Sequence, residues 1–462
     1  MTPPNTVSAA PRPAVSADVG ADVGISSSQR WTIVGLLSAS IMINLLDRQV
    51  FSVLASELRA AFQWSNAQYG YAAVAFNAGM MVGQIPVGSL MDRVGTKVGL
   101  ALIFVVWSVI AMAHALGGPG TAVEAIGHGL IGWLPGMQAL AAGLAGFILL
   151  RFLMGVSQCG NYTAGIKALA GLFPAATRSR AGGIFNAGAQ FGSVIAPPIV
   201  VYLASAFGWR MAAVIPALVC LLWLLPWLAT FPDKDRMSAI SIKPVGAKTA
   251  VPDVRFSQLL SNQKVLGLFL IRVFTGPITT FYWTWLPLYL RTGRGMSFLA
   301  VGIFASIPNL IGMGGNVIGG LITDRLVKST GSVDVGRKIG FTCAFLLGAL
   351  SMTMPFVTND YLAVVLMGLA LFGNQWVAAT YIGAVGDVVP QQLAGRVNGI
   401  AGLGDNGAAL LAVLYTGVIV DKYGWTPVFL GAGTLPFLAM LSVFLVLRKI
   451  EPAKFDFLGS RS

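Results

Sequence analysis

Asp47 and Arg48 are the only charged residues between Trp31 and Ser56, in a stretch otherwise apolar, small or uncharged. About 20 predominantly apolar residues span a bilayer as a helix. A carboxylate or a guanidinium near the middle of such a helix costs roughly 2.5–3.5 kcal/mol on insertion scales, so a chain that keeps both needs a polar cavity for them to face. The chemistry on offer is capture of an anion by the guanidinium and carriage of a proton by the carboxyl. The plainer alternative is a pair that only pins helix packing. Neighbours along a helix do not face each other, so each group needs a partner on another helix.

Arg151 lies inside the fourth apolar segment. Its planar fork matches a carboxylate bidentately, and with Arg48 it makes an anion the natural substrate. The alternative pairs it with Asp47; a resting Asp47–Arg151 or Asp47–Arg48 pair that opens when substrate arrives would satisfy both readings. Asp47 is the candidate proton carrier, since burial and a neighbouring guanidinium act on a carboxyl in opposite senses and its charge can follow conformation. Asp405 is a second intramembrane carboxylate, beside Asn406. It is either a second proton-coupling group or a structural hydrogen-bond partner.

Gln158, Asn161, Asn186, Asn309, Asn374 and Gln375 are amides in apolar segments. Polar residues there turn inward, though many only bridge helices. Gln158, Asn161, Asn186, Gln190, Gln375 and Asn406 are assigned to substrate binding, with Arg48 and Arg151. Tyr282, Trp285 and Trp376 are candidates for stacking on a sugar face, against a packing role. His114 and His128 are isolated, and Cys159, Cys220 and Cys343 stand singly, so no metal site or disulfide framework is legible. No G-K-S/T follows the glycine-rich stretches, which allow close helix approach rather than phosphate binding. No cofactor is expected, and neither a metal cluster nor a nucleophile triad supports an enzyme.

The elements that must position these groups follow from composition. The 462 residues are 56% hydrophobic and only 10% charged, against about 25% charge in soluble domains. Mean hydropathy is +0.76. Twelve apolar segments fall at roughly 31–56, 68–91, 98–116, 141–164, 180–206, 210–231, 265–290, 298–323, 339–357, 361–386, 394–420 and 425–447. Residues 1–29 read as a disordered tail with no signal-peptide run. Residues 30–231 then form one six-helix half, 232–264 a polar linker with three prolines, 265–450 the second half and 451–462 a tail. Lys and Arg concentrate in loops on the side of both termini, which places the termini in the cytoplasm. The net charge of +13 is thereby explained by topology and contact with anionic lipid, not by nucleic acid.

The halves repeat. Gly83, Gly88, Asp92 and Arg93 recur as Gly315, Gly320, Asp324 and Arg325; Arg180, Gly183, Gly188, Gly208 and Trp209 recur as Arg396, Gly399, Gly404, Gly424 and Trp425. By the same offset Asn406 corresponds to Gln190. Two parallel halves with a site between them at mid-membrane are a transporter architecture. Residues 117–140, with Gly117, Gly118, Pro119, Glu124 and His128, form a long loop on the outer side, with room for a short interfacial helix, and read chiefly as a tolerated insertion.

The run Gly88-Ser89-Leu90-Met91-Asp92-Arg93-Val94-Gly95-Thr96-Lys97 resembles the signature loop of the major facilitator superfamily. That resemblance implies an all-α membrane fold of twelve helices in two pseudo-symmetric halves, alternating access, and gating roles for Asp92, Arg93, Asp324 and Arg325 at helix ends. Asn44-Leu45-Leu46-Asp47-Arg48 resembles the N-Y-L-D-R of the anion:cation symporter branch. Arg151-Phe152-Leu153-Met154-Gly155-Val156 is similar to its fourth helix, and the run from Tyr282 to Leu290 to its seventh. Phe185-Asn186-Ala187-Gly188, ending in Ile195-Ala196-Pro197-Pro198, is most similar to hexuronate transporters.

The resemblance implies import of a small organic anion, a hexuronate or related sugar acid, together with protons, by a monomer in a bacterial inner membrane. Three positions depart from it. Gln158 stands where branch members often carry Glu, and Leu45 and Met80 stand where Tyr is common. The first loses a titratable group and the others lose hydroxyls. Import of aromatic or dicarboxylic acids, or export of drugs or metabolites on the same fold, are therefore the alternatives.

Overall fold

A computed structural model describes residues 26–133, 140–233 and 256–453, together with Phe455. Most of the expected linker, the N-terminal tail up to residue 25 and the C-terminal tail from residue 456 lie outside the described residues. The rest is helix, with no strand among the described residues. The helices are α1 (Ser27–Val53), α2 (Ala55–Phe62), α3 (Asn66–Val94), α4 (Thr96–Ala113), α5 (Ala122–Ile131), α6 (Leu144–Gln158), α7 (Gly160–Leu172) and α8 (Ala175–Thr230). After the linker come α9 (Phe256–Leu260), α10 (Gln263–Thr292), α11 (Phe298–Phe304), α12 (Ser306–Thr330), α13 (Val333–Gly348), α14 (Asp360–Val388), α15 (Gln391–Tyr423) and α16 (Thr426–Leu441).

Ten stretches are long and apolar enough to cross a membrane. One of them, Arg180–Thr230, is 51 residues long and holds two rods, because α8 breaks at Gly208 (φ 81°, ψ 161°). Only glycine takes that conformation without strain. Its repeat partner Gly424 (φ 73°, ψ −167°) makes the matching turn between α15 and α16. With α3, 29 residues long, and with α6–α7 and α11–α12 each forming one rod, the described chain makes twelve.

The internal repeat is structural as well as sequential. A Cβ at Gly83 would press on the backbone of Val156, and one at Gly315 on the carbonyl of Phe372. The two contacts are the same contact in each half, α3 on α6 and α12 on α14, where small residues let backbones approach.

The apolar cores show how the halves sit. Two clusters are confined to one half each: Ile33, Phe104, Trp107 and Trp227 belong to the first, Phe341, Trp376, Tyr381 and Val443 to the second. A third draws on both halves, through Phe51, Tyr69, Phe147, Trp285, Tyr289 and Phe429, and lies at the end of the bundle away from the chain termini. At that distal end Tyr69 donates to the Thr284 carbonyl at 3.1 Å and meets Trp285 edge-on at 5.2 Å. Asp421, in the last turn of α15, caps the first turn of α3: it accepts from Asn66 N–H at 3.0 Å, Asn66 Nδ2 at 2.7 Å and Ala67 N–H at 2.8 Å. A carboxylate on a helix N-terminus is favoured by the unpaired amides and the helix dipole. Toward the termini, side chains added at Gly183, Gly395, Gly399 or Gly402 would meet open space. The halves are thus joined at the distal end and splayed at the other.

Candidate functional site

Between the splayed halves lies a cavity of about 510 Å³. It is built from α1, α3, α6, α7 and α8 of the first half and α10 and α15 of the second. Of the residues expected from sequence to bind substrate, Arg48, Gln158, Gln190 and Asn406 line it. Asn44, Gln84, Tyr162, Thr163 and Trp283 line it as well. Trp283 and Tyr162 could have been found by asking which face of their helix each shares with a polar residue rather than by residue type alone.

Arg48 holds the top of the cavity. Its guanidinium donates to Asn77 Oδ1 at 3.3 Å and lies over the rings of Phe76, 4.9 Å away, and Trp283, 5.5 Å away. Arg151 stands behind it. The two share a small pocket of about 30 Å³ bounded by Phe51, Phe76, Asn77 and Trp283. Arg151 is buried, with its guanidinium 4.5 Å from the ring centroids of both Phe51 and Phe76, and its one hydrogen-bond acceptor is the Met154 sulfur at 3.7 Å. Cation–π contacts of this kind are worth about 0.5–2 kcal/mol each, far less than the cost of burying a charge. Neither arginine has a carboxylate partner among the described residues.

Asp47 forms no direct ion pair with either arginine among the described residues, but it shares a pocket with Arg151 and the two charges attract each other there. It is 2% exposed and accepts from Trp107 Nε1 at 2.6 Å and Gln158 Nε2 at 2.9 Å. Both donors converge on Oδ2. The reason is helix geometry: on α1 the side chain after Asp47 turns toward α3, while Asp47 turns toward α4 and α6. Asp405 does have a partner, Arg272 of α10, at 2.5 Å. Gly276 makes room for it, since a Cβ there would collide with Asp405 Oδ1.

Several sequence assignments are corrected by position. Trp285 and Tyr282 do not face the cavity; both are fully buried in the shared distal core, where Tyr282 and Ser351 hydroxyls pair at 2.8 Å. Trp376 fills the core of the second half, against Gly319, and donates to Thr323 at 2.8 Å. An aromatic residue in a span packs wherever its face of the helix points, and these three point into helix contacts. Asn161 braces α7 to α1 through the Ser40 hydroxyl, 3.1 Å, and carbonyl, 3.2 Å. Gln375 is buried on α14 and does not line the cavity. Asn186 is at the rim, accepting from Tyr162 at 3.3 Å. Of the expected gates, Asp324 accepts from Arg337 at 3.5 Å, and Arg337 also bonds Asp387 at 2.9 Å. That cluster lies wholly within the second half. Arg93 and Arg325 are exposed at the splayed end, and the side chain of Asp92 lies outside the described residues.

A family model described as Major Facilitator Superfamily matches residues 37–332 and 330–460. The chain belongs to the major facilitator superfamily. Within the superfamily it is 29% identical over 450 residues to a probable galactarate/D-glucarate transporter of Bacillus subtilis, covering 93% of this chain and 94% of that one. A probable galactarate/D-glucarate transporter of Escherichia coli is 28% identical, covering 91% and 95%, and the E. coli hexuronate transporter is 27% identical, covering 92% and 95%. Among solved structures of the superfamily, a D-xylose–proton symporter has a TM-score of 0.71 at 15% identity, covering 91% of this chain and 98% of that one. An inward-facing bacterial homologue of the human lysosomal transporter Spinster has 0.68 at 16%, covering 95% and 98%. The protein is a superfamily transporter of apolar membrane helices and not an enzyme.

Proposed function

We propose that the protein imports a sugar acid, a hexuronate or the corresponding diacid, together with a proton, and that the structure is its inward-open state. The observation that carries this is the pair of arginines around one small pocket, Arg48 half-buried at the head of the central cavity and Arg151 buried behind it, neither in a direct ion pair among the described residues. Two guanidinium groups around one pocket, with Asp47 the nearby carboxyl and no direct ion pair, leave room for a further anion. The two forks around one small pocket suit a carboxylate, and the amides and hydroxyls below it, Asn44, Gln84, Gln158, Tyr162, Gln190 and Asn406, suit the hydroxyls of a sugar acid. The cavity volume is within the range of small-molecule sites. The relatives named for galactarate, glucarate and hexuronates support the same class. A drug exporter is disfavoured by the same two charges.

Asp47 is proposed as the coupling carboxyl. Gln158 links it to the cavity wall, so a proton on Oδ1 and an anion at Arg48 are read by one connected set of side chains. Asp405, paired with Arg272, is the second carboxyl. With the bias of Lys and Arg to the termini side, the splayed end faces the cytoplasm, and the membrane is a bacterial inner membrane.

The test is a thermal-shift series on purified protein with glucuronate, galacturonate, galactarate, glucarate and a panel of aromatic acids. Stabilisation by one or more sugar acids, lost in Arg48→Ala and Arg151→Ala, is the expected result. Stabilisation by aromatic acids alone would overturn the substrate class.

A further inference from the structure

Asp47 also borders a further, partly open pocket of about 30 Å³, lined within the first half. On a scale where one water takes about 10–15 Å³, it holds about two. Asp47 and Phe51 of α1, His114 at the distal end of the α4 rod, Arg151 of α6 and Trp209 of α8 line it. Its polar atoms are unusual. His114 Nδ1 lies 2.8 Å from the Ile110 carbonyl. A carbonyl only accepts, so Nδ1 carries the hydrogen and Nε2 of the neutral ring presents a lone pair. That Nε2 is buried without a partner, and so is Nε of Arg151, an obligate donor. His114 is 7% exposed and Arg151 5%. His114 and Arg151, each with an unpartnered buried nitrogen, and Asp47 thus line one space of water size, a combination buried polar groups rarely leave unused.

We infer that this chamber is a proton-transfer site, in which His114 and water carry a proton between the distal face and Asp47 by a route separate from the substrate path. The inference rests on the proposed proton coupling. His114 stands two residues before the end of its rod at Leu116, while Asp47 is near mid-span on α1. Tyr69, Trp285 and Asp421 join the halves at the distal end, and the pocket lies beside them, lined by first-half residues alone.

The step balances as follows. A proton from the distal side adds to His114 Nε2, giving an imidazolium whose Nδ1–H stays on the Ile110 carbonyl. Nε2–H passes to a water oriented by Arg151 Nε–H, and that water gives one of its own protons to Asp47 Oδ1. The ring ends neutral and the carboxyl ends protonated, ready for the Gln158 side to report it to the cavity. The charged groups facing the ring are Asp47 from α1 and Arg151 from α6, with Arg210 of α8 bonded to the adjacent Ala115 carbonyl at 3.1 Å; α2 contributes only Leu58 to the chamber. Burial, and after it the repulsion of Arg151, keeps the imidazolium short-lived, which suits relay rather than storage.

The test uses full-length protein in proteoliposomes, with His114→Leu, His114→Gln and Ala111→Val, the last narrowing the chamber without removing a polar group. Three quantities are read: thermal shift with glucarate and glucuronate, counterflow exchange, and uptake driven by a pH gradient across a range of pH. Positioned proton-transfer groups are worth about 10²–10⁴-fold, so pH-driven uptake should fall by roughly tenfold or more in His114→Leu and Ala111→Val, with binding and exchange kept. His114→Gln, which cannot take up a proton at neutral pH, should retain uptake through water but lose the pH dependence of wild type. Full pH-driven uptake with an unchanged pH profile in both His114→Leu and Ala111→Val would overturn the inference while leaving the transport reading intact. Wild-type protein that carries a sugar acid with no response to a pH gradient would overturn both the inference and the coupling.

Discussion

At the residue scale the decisive contrast is between Asp47 and Asp405. Asp47 is held by two neutral donors, whereas Asp405 is in contact with a guanidinium. Asp47→Asn keeps a carbonyl to accept from Trp107 and Gln158, so the fold and the cavity should survive. Accumulation against a gradient should be lost while exchange of labelled for unlabelled substrate persists. Normal uphill uptake by that variant would remove Asp47 from the coupling role. Gly276→Ala tests the other carboxyl without touching it: the added methyl must push Asp405 off its position beside Arg272. Burying two imperfectly paired charges costs several kcal/mol, so a loss of thermal stability by several degrees is expected, larger than for the open-space change Gly399→Ala. The sequence made Arg48, Gln158, Gln190 and Asn406 legible because an uncompensated polar group in an apolar span has few reasons to exist. It could not sort Trp285 and Trp376 from Trp283. Apolar rings are stable both in a wall and in a core, and one residue along a helix, about 100°, decides which.

At the scale of elements, the twelve rods were legible from length and hydropathy, and the repeat from glycine and charge spacing. What was not legible is what the elements do to one another. The 117–140 segment was expected to be a long outer loop with room for a short helix. Its described part contains α5, and Glu124 anchors it by accepting from the amides of Gly120 at 2.7 Å and Gly143 at 2.5 Å. The segment is thereby packed onto α6 rather than hanging free. The distal seal was likewise hidden, because Asp421 reads as an ordinary helix-end carboxylate until α3 is brought beneath it. Asp421→Ala removes three accepted hydrogen bonds at the junction of the halves. The expected result is a shift toward opening at the distal end, seen as faster labelling by a membrane-impermeant maleimide of a cysteine placed at Asn66 when Asp421 is absent. Unchanged labelling would mean that the aromatic contacts of Tyr69, Trp285 and Trp425 hold the seal alone.

At the scale of the whole molecule, the one shared core and the two separate ones fit the proposed transport cycle. In that proposal, closing the splayed end and parting the distal end exchanges which ends of the halves touch, while each half keeps its own core and Arg48, Arg151 and Asp47 move as a unit. Because Gln158 is an amide and Asp405 is paired with Arg272, Asp47, joined to the cavity wall through Gln158, is the one carboxyl left for the proposed coupling, and the expected stoichiometry is one proton per substrate. That number has an electrical consequence. A hexuronate monoanion with one proton crosses without net charge. A diacid with one proton carries one negative charge inward, against an interior-negative potential that opposes it by about 2.3 kcal/mol per 100 mV. In proteoliposomes clamped with potassium and valinomycin at a fixed pH gradient, glucuronate accumulation should therefore not respond to potential. Glucarate accumulation should fall as the interior is made negative. Equal insensitivity for both substrates would mean that a second proton accompanies the diacid. Asp405 would then be the group to carry it, and Asp405→Asn should restore the potential dependence for glucarate alone.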